Sequence, residues 1–295
     1  MPSPFPGMDP YLKNPTWHNY TEHKASDNHT VEGYLKVLEN LYSPQLRNRR
    51  DVLVYLPPSY EQTQQRYPVI YMHDGQNLFD EVTSFAGEWH VDSTMEALSS
   101  AGIEAIIVGI PNAGPKRTEE YSPFRDERYG GERLGDKYLA FIIETIKPLV
   151  DRDFRTRPER SQTGVMGSSM GGLISLYAFF QYPATFGFTG AMSPSLWFAN
   201  QSILTYIQES PFYPGKIYVD IGSLEYAGAI NDGLAAGKRA VKSYQGSVAH
   251  LRDLLVKKGY QPGINLYCVE QEGAGHQESA WAERLPEALR FLLSS

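Results

Sequence analysis

Apolar positions begin to follow a regular pattern near residue 31, where they predict a hairpin of two strands. The first strand is YLKVLENLYS (34–43), and the second lies in RDVLVYLPPSY (50–60). The second strand is expected to end at Pro57 and Pro58, because proline cannot donate a hydrogen bond to a central ladder. Since the two strands follow each other closely along the chain, we expect them to pair.

Two later segments are almost continuously apolar. YPVIYMHDGQN (67–77) and EAIIVGIPNAG (104–114) have the length of strands and end in turn residues. Apolar runs of this kind are typical of strands that are buried on both faces, as in a parallel sheet covered by helices. Between them, WHVDSTMEALSSAG (89–102) predicts a helix that ends at Gly102.

Strands and helices continue to alternate up to the last residues. Further strands are predicted for SQTGVMG (161–167), FGFTGAMS (186–193), KIYVDIG (216–222) and INLYCVE (264–270). Apolar residues at helical spacing predict helices over 139–150, 173–180, about 234–258, and 281–292. This alternation predicts a three-layer α/β domain, with a mostly parallel central sheet and helices on both of its faces.

The first thirty residues differ from the rest of the chain. Pro, Asn, His and Thr are frequent there, and neither strand nor helix periodicity is present. We therefore predict an irregular N-terminal extension over 1–30 and one domain over 31–295. The spacing of His18, His23 and His29 matches no compact metal-binding motif, so we interpret them as solvated histidines and expect no metal site.

Composition and charge exclude several classes of protein. Hydrophobic residues are 41% and charged residues 21%, as in a globular protein, and a formal charge of −7 argues against a nucleic-acid partner. The single cysteine allows no intrachain disulfide and no multi-cysteine metal site. The start of the chain lacks the pattern of a signal peptide, and no apolar stretch reaches the roughly 18 residues that span a bilayer. We therefore expect no membrane association and a cytoplasmic location.

The segment TGVMGSSMGGLISLYAFF (163–180) contains the most informative motif. Residues 167–171 fit the pattern G-x-S-x-G, with a predicted strand before them and a predicted helix after them. A nucleophile elbow needs this context, because its strained serine lies on a tight strand-to-helix turn between small residues. The motif predicts Ser169 as a nucleophile and the Met170 N–H, at a helix N-terminus, as an oxyanion donor. In the alternative interpretation, the glycines only permit close packing of helix and sheet.

A serine nucleophile needs a general base, which in this arrangement follows it in the chain. Two histidines come after Ser169. His250 lies within a predicted helix, where a surface or packing role is expected. His276 lies on a glycine-flanked loop between the last predicted strand and the last predicted helix, at the carboxyl edge of the sheet. We therefore predict His276 as the base.

The acid that orients the base is expected on the loop after KIYVDIG. Asp220 falls inside the predicted strand, whereas Glu225 stands three residues after Gly222, on the loop itself. Because strand side chains alternate between the two faces of the sheet, Asp220 is less well placed to reach the imidazole. We predict Glu225 as the acid, with Asp220 as the first alternative and Asp232 as a remote one.

A second oxyanion donor is expected from the loop HDGQN, which follows a buried strand. We predict the N–H of Gly75 or Gln76 as this donor, because the glycine would let the backbone approach a substrate. Asp74 in the same turn is a candidate substrate-binding residue. His73, at the end of the strand, is expected to shape the loop.

These residues, taken in order, resemble the esterase family of α/β hydrolases that includes esterase D, feruloyl and acetylxylan esterases, and enterochelin esterases. The resemblance covers about residue 31 to the end and rests on RDVLVYLPPSY, VIYMHDGQNLFD, RTEEYSPF, GSSMGG, SPSLW, IGSLE and GAGHQESAW. It implies an α/β-hydrolase fold, a catalytic domain over 31–295, and Ser169, Glu225 and His276 as a catalytic triad. The chain departs from familiar members in two ways: its acid is Glu rather than Asp, and HDGQN replaces a glycine-rich HGGG-like turn.

The resemblance also implies that the long loop over about 111–135 covers the site. On this loop, Arg117 either binds a carboxylate or phenolate of the substrate or pairs with Glu120 and fixes the loop. Trp197, in SPSLWF, is a candidate aromatic wall of the substrate site, whereas Trp281 is expected in the core.

The sequence therefore predicts a serine carboxylic ester hydrolase that acts through an acyl-enzyme on a small-molecule or sugar-linked ester, with no cofactor. Two alternatives remain. One is an acyltransferase, in which a sugar hydroxyl replaces water, and the other is a hydrolase-like fold that only binds its ligand.

Overall fold

The computed structural model describes residues 18–19, 29–128, 131–225 and 235–294. Within these ranges nine strands form one sheet in the order β1-β2-β3-β5-β4-β6-β7-β8-β9. The strands are β1 (His18–Asn19), β2 (Tyr34–Ser43), β3 (Asn48–Leu56), β4 (Val69–His73), β5 (Ile106–Ile110), β6 (Thr163–Ser168), β7 (Phe188–Met192), β8 (Lys216–Gly222) and β9 (Leu266–Gln271).

The sheet is mostly parallel. Strands β1, β2 and β3 are antiparallel to one another, and β3 is antiparallel to β5. All neighbours from β5 through β9 in the sheet order are parallel. The predicted hairpin is therefore confirmed as β2 and β3, and the apolar runs form the buried parallel strands, as their composition indicates.

The helices of the described residues cover both faces of the sheet. They are α1 (Val91–Ser99), α2 (Arg117–Glu120), α3 (Gly135–Phe141), α4 (Lys147–Asp153), α5 (Met170–Gln181), α6 (Ser202–Glu209), α7 (Ala235–Lys258) and α8 (Glu278–Leu293). A π-helical segment, Ile142–Ile146, joins α3 to α4.

Two apolar clusters separate the three layers. On one face, α1 and α8 bury Met95 and Leu289 against the sheet. On the other face, Leu139 of α3, Leu173 of α5 and Leu251 of α7 belong to the larger cluster. No described helix combines the length and the apolar content that crossing a membrane requires. The predicted layered α/β architecture is confirmed.

Strand β1 and helices α2 and α6 are elements that the sequence pattern does not predict, and α6 is the longest of them. Helix α6 follows a kink at which Ala199 and Asn200 have positive φ angles of 48° and 55°. Asparagine adopts such angles more often than other non-glycine residues, but alanine seldom does, so the residue types alone do not predict this turn.

The start of the chain contributes to the sheet and to the loop after β4. His18 of β1 lies opposite Val37 of β2. His29 Nδ1 lies 2.6 Å from a carboxylate oxygen of Asp80. His23 and most of the predicted N-terminal extension lie outside the described residues. Among the described residues, no three His, Cys, Asp or Glu side chains form a group that could hold a metal ion.

The parallel strands bring the predicted site residues to one edge. Ser169 directly follows β6, Glu225 lies on the loop after β8, and His276 lies on the loop after β9. The turn Gly75–Asn77 follows β4 at the same edge. Ligands of open α/β sheets bind at the carboxyl ends of the strands, and this edge is therefore where a site is expected.

Candidate active site

Ser169 occupies a strained turn between β6 and α5. Its backbone has φ 57° and ψ −119°, a conformation that non-glycine residues rarely adopt. Small neighbours make the turn possible, because a Cβ at Gly167 would lie 2.8 Å from Cδ2 of His73. The Ser169 N–H donates to the Met192 carbonyl over 2.9 Å, which ties the turn to β7. The local geometry is that of the nucleophile elbow that the motif predicts.

Ser169, His276 and Glu225 form a continuous line of polar contacts. His276 Nε2 lies 3.0 Å from Ser169 Oγ, and His276 Nδ1 lies 2.9 Å from Glu225 Oε2. The His276 side chain is 24% exposed, whereas that of Glu225 is 1% exposed. The imidazole can therefore meet a substrate while the carboxylate beside it is shielded from water. This arrangement can move a proton away from the serine hydroxyl and stabilise the resulting imidazolium.

The buried carboxylate of Glu225 is held by hydrogen bonds to its second oxygen, Oε1. The Gly222 N–H donates to Oε1 over 2.7 Å, and the Ser193 hydroxyl donates to the same atom. Ser193 Oγ in turn accepts hydrogen bonds from Trp281 Nε1 over 2.9 Å and from Arg284 Nη2 over 3.1 Å. Sequence reasoning missed Ser193 and Arg284, whose contacts with one another span about ninety residues of chain.

Asp220, the alternative acid, is occupied elsewhere. Its carboxylate lies 2.9 Å from Arg284 Nε and accepts a hydrogen bond from the Ser193 N–H over 2.9 Å. Burial raises the pKa of the Asp220 carboxyl, and the Arg284 guanidinium opposes that rise. Asp232, the remote alternative, lies outside the described residues.

The loops that carry Glu225 and His276 are joined by their backbones. The Leu224 N–H donates to the Ala274 carbonyl over 2.9 Å. At Gly222, an added Cβ would lie 2.2 Å from the same carbonyl oxygen, so only glycine fits there. The two loops therefore meet in direct backbone contact.

Ser195 brings a second hydroxyl to the nucleophile. Its Oγ lies 3.2 Å from Ser169 Oγ, and its N–H donates to the Ser169 carbonyl over 2.9 Å. Ser195 is buried. The motif SPSLW contains this residue, but the spacing of the motif does not indicate a contact with Ser169.

The candidate oxyanion donors lie on both sides of the serine. Met170 is the first residue of α5, so its N–H stands at a helix N-terminus. Gln76 lines the same cavity as Ser169, and its side-chain oxygen accepts a hydrogen bond from the Asn112 N–H over 3.1 Å. At Gly75, a Cβ would lie 2.5 Å from the Ile110 nitrogen. Contact with the backbone at the end of β5 is thus enough by itself to require glycine at this position.

Asp74 and Arg117 form a two-point ion pair on the cavity wall. Arg117 Nε and Nη2 donate to the two carboxylate oxygens of Asp74 over 2.7 and 2.8 Å, and Asn112 donates to one of them over 2.7 Å. Burial raises the pKa of the Asp74 carboxyl, but the Arg117 guanidinium outweighs this and holds that pKa below its usual value. The alternative pairing of Arg117 with Glu120 is wrong, because Glu120 binds Arg50 over 2.7 Å.

A cavity of about 870 Å³ opens beside the serine. Its polar lining includes Asp74, Gln76, Arg117, Ser169, His276 and Glu278. Its aromatic lining consists of Phe85, Trp89 and Trp281. Phe85 is 92% exposed, which is unusual for a large apolar side chain. Sequence reasoning missed Phe85, Trp89 and Glu278. The segments of Phe85 and Trp89 match no motif, and the motif GAGHQESAW, which contains Glu278, indicates no role for that residue.

Of the two tryptophans singled out from the sequence, Trp281 lines the cavity and Trp197 is not in its described lining. Trp197 is not among the described residues that line the cavity; it packs against the larger apolar cluster, with the Arg128 guanidinium 5.8 Å from its ring centre. Trp281 is buried as predicted, but it also lines the cavity, with its ring centre 5.0 Å from that of His276. The aromatic wall therefore comes from α8 and the loop before α1.

The fold and this edge of the sheet define an α/β hydrolase. A sequence model of the family described as "Putative esterase" matches residues 43–292, and the chain belongs to that family. The protein is therefore a carboxylic ester hydrolase.

Other proteins are similar to this chain in sequence or in structure. An uncharacterized Bacillus subtilis protein, YbbA, is 27% identical over 253 residues, which cover 83% of this chain and 92% of YbbA. A siderophore enterobactin esterase of Emericella nidulans is 30% identical over 154 residues, 46% of this chain and 48% of that protein. The crystal structure of an IroE-like serine hydrolase from Shewanella oneidensis has a TM-score of 0.67 at 22% identity, covering 88% of this chain and 80% of that one. The last similarity concerns the fold alone.

Proposed function

We propose that the protein hydrolyses carboxylic esters with Ser169 as nucleophile, His276 as general base and Glu225 as the acid that orients the base. The observation that carries this proposal is the contact of His276 with both partners, 3.0 Å to Ser169 Oγ and 2.9 Å to Glu225 Oε2. A serine hydroxyl is a weak nucleophile at neutral pH, and these contacts supply the base that it needs.

In the first half of the reaction, Ser169 Oγ bonds to the carbonyl carbon of the ester while its proton moves to His276 Nε2. The Nδ1–H donates to Glu225, whose negative charge stabilises the imidazolium. The Met170 N–H and an N–H of the turn Gly75–Asn77, that of Gly75 or Gln76, stabilise the negative oxygen of the tetrahedral intermediate. The bond to the alcohol oxygen then breaks, and the alcohol leaves with the proton from His276.

In the second half, water replaces the alcohol. His276 Nε2 takes a proton from water as its oxygen bonds to the acyl carbon. The bond between that carbon and Ser169 Oγ then breaks, Ser169 regains the proton, and the carboxylic acid leaves. The exposed fraction of His276, 24%, is consistent with access of water to this nitrogen.

The lining of the cavity favours binding of small-molecule esters that carry a flat apolar group. Phe85, Trp89 and Trp281 supply aromatic surface, and Arg117 and Glu278 supply charges that can orient a polar substituent. The E. nidulans relative is named as an esterase of a siderophore, which is also a small-molecule substrate.

A labelling experiment with two serine variants tests the proposal. We expect a fluorophosphonate probe to label the wild-type protein at Ser169, and Ser169→Ala to lose both label and at least roughly a thousandfold in kcat on a p-nitrophenyl ester. Ser195→Ala is the matched control, because its hydroxyl lies 3.2 Å from the same atom, and it should keep the label. Label found by mass spectrometry on Ser195, or activity retained in Ser169→Ala, would refute the proposal.

Added alcohols distinguish hydrolysis from acyl transfer. For a hydrolase, we expect the free acid to remain the main product when methanol or a sugar is added at millimolar concentration. A main product esterified to the added hydroxyl would instead assign the protein as an acyltransferase.

A further inference from the structure

A second cavity, of about 560 Å³, lies at the opposite edge of the sheet from Ser169. Its walls come from the amino ends of the parallel strands and from the end of α8. Pro68 precedes β4, Glu104 precedes β5, and Gln162 precedes β6. Phe188 and Lys216 begin β7 and β8. The volume falls in the range of about 300–1,000 Å³ that small-molecule sites occupy.

Cations dominate the lining of this second cavity. Arg66, Arg157, Arg160 and Lys216 line it, and among the described residues Glu104 supplies the one lining carboxylate. Glu104 Oε2 accepts hydrogen bonds from the Ser59 hydroxyl and the Gln65 amide, and Oε1 accepts one from the Ser59 N–H. The Glu104 carboxylate is therefore already bound to neutral donors.

The four cations donate to neutral acceptors. Arg160 donates to the carbonyls of Pro183 and Pro214, and Lys216 donates to those of Phe291 and Ser294. These contacts fix both charges on the wall without neutralising them. Burial lowers the pKa of both groups, as expected for cations that lack a carboxylate partner.

The two remaining cations stand at the more open side. Arg66 donates to the Thr156 carbonyl over 3.1 Å, and Arg157 donates to the Gln162 side-chain oxygen over 3.5 Å. Both arginines are exposed. A guanidinium has five N–H donors, so each retains donors that can reach into the cavity.

Elsewhere in the described part of the chain, cations are commonly paired. Ion pairs with carboxylates are made by Arg50, Arg117, Arg128, Lys147, Arg152, Arg252 and Arg284. The chain as a whole carries a formal charge of −7. The second cavity differs from this pattern, because four cations face it and none of them has a carboxylate partner within the described ranges.

We propose that this second cavity binds a small polyanion, a molecule with two or more phosphate or carboxylate groups. Guanidinium groups match both oxyanions through paired N–H donors. Arg160 and Lys216 form the fixed wall, and Arg66 and Arg157 close on the anion from the open side. The apolar side chains of Pro68, Phe188 and Leu292 form a surface on which the carbon skeleton of such a ligand can rest.

Isothermal titration calorimetry with pyrophosphate and with citrate tests the site and separates the two ligand types. We expect saturable binding of at least one of them, weakened at least roughly tenfold in the double variant Arg66→Gln/Arg157→Gln. The matched control is Arg152→Gln/Arg252→Gln, which removes two exposed arginines that already pair with carboxylates. The control should bind the anion as the wild type does.

Two further measurements keep the result unambiguous. Thermal unfolding shows whether each double variant is folded, and hydrolysis of a p-nitrophenyl ester should be unchanged in both, because Ser169 lies at the other edge of the sheet. Equal anion affinity in the two double variants, or no saturable binding of either anion at millimolar concentration, would overturn the proposal without affecting the assignment of Ser169.

Discussion

Trp281 Nε1 donates a hydrogen bond to Ser193 Oγ over 2.9 Å, and the same hydroxyl donates to the buried carboxylate of Glu225. A residue of the last helix thereby sets the orientation of a hydroxyl that follows β7. This hydroxyl is the link between the core around α8 and the carboxylate that contacts His276.

Ser193→Ala should lower kcat by roughly ten- to a hundredfold and leave KM within about threefold, because Glu225 would lose a donor without a change in the substrate cavity. Steady-state kinetics on a p-nitrophenyl ester measures both constants. Ser175→Ala is the control, since its buried hydroxyl donates to the Gly171 carbonyl and does not contact Glu225. An equal loss in both variants would mean that the effect is structural.

Glu225→Gln should lower kcat by roughly a hundredfold or more, because the amide keeps the shape of the carboxylate but removes its charge beside the imidazole. Asp220→Asn should affect kcat less and thermal stability more, because the buried Arg284 would lose its ion-pair partner at 2.9 Å. Turnover and melting temperature measured for both variants make the comparison. Greater damage to kcat in Asp220→Asn would assign the role of the acid to Asp220.

Arg117→Ala should lower the free energy of unfolding by about 2 kcal/mol near pH 7, since the Asp74 carboxylate would remain buried without its cation. The folded-state pKa of Asp74 lies below its ordinary value of 3.8. The stabilisation by the pair is therefore present above about pH 4 and is lost as the pH falls through the folded-state pKa.

Urea unfolding at about pH 7 and about pH 3.5 measures this dependence, and the difference between wild type and Arg117→Ala should shrink at the lower pH. Arg252→Ala removes a more exposed pair and should change stability by less than about 1 kcal/mol at either pH. A difference for Arg117→Ala that grows on acidification would contradict the assigned sign.

Phe85→Ala should raise KM for an aromatic ester by roughly three- to tenfold and leave stability unchanged, because the side chain is 92% exposed at the cavity and contributes little to the core. KM for p-nitrophenyl acetate should change less than KM for methyl ferulate. Ile264→Ala, which removes another exposed apolar side chain away from the cavity, is the control. Unchanged KM for both esters would exclude Phe85 from substrate binding.

The sequence predicts the strands and the elbow well because the signals for both are local. Nearly continuous apolar runs mark β4 and β5, and the small residues on each side of Ser169 meet a steric demand that can be stated from the motif alone. Parallel strands have their carboxyl ends at the same edge of the sheet. The position of His276 directly after the last predicted strand therefore predicts that it lies near Ser169.

Contacts between distant segments could not be predicted in this way. The partner of Arg117 is 43 residues away in Asp74, while the nearer Glu120 binds Arg50, and no periodicity distinguishes these pairings. The requirement for glycine at Gly75 likewise depends on the backbone of a neighbouring strand. Such features depend on three-dimensional packing rather than on the residue types of one segment.

The backbone contact between the Glu225 loop and the His276 loop couples the positions of these two side chains. With the Leu224 N–H fixed on the Ala274 carbonyl and no room for a side chain at Gly222, displacement of either loop carries the other with it. An engineer who wishes to reshape the entrance can alter the walls that hold Phe85 or Arg117 independently. Lengthening or stiffening either of the joined loops would instead shift Glu225 and His276 together, although neither side chain had been substituted.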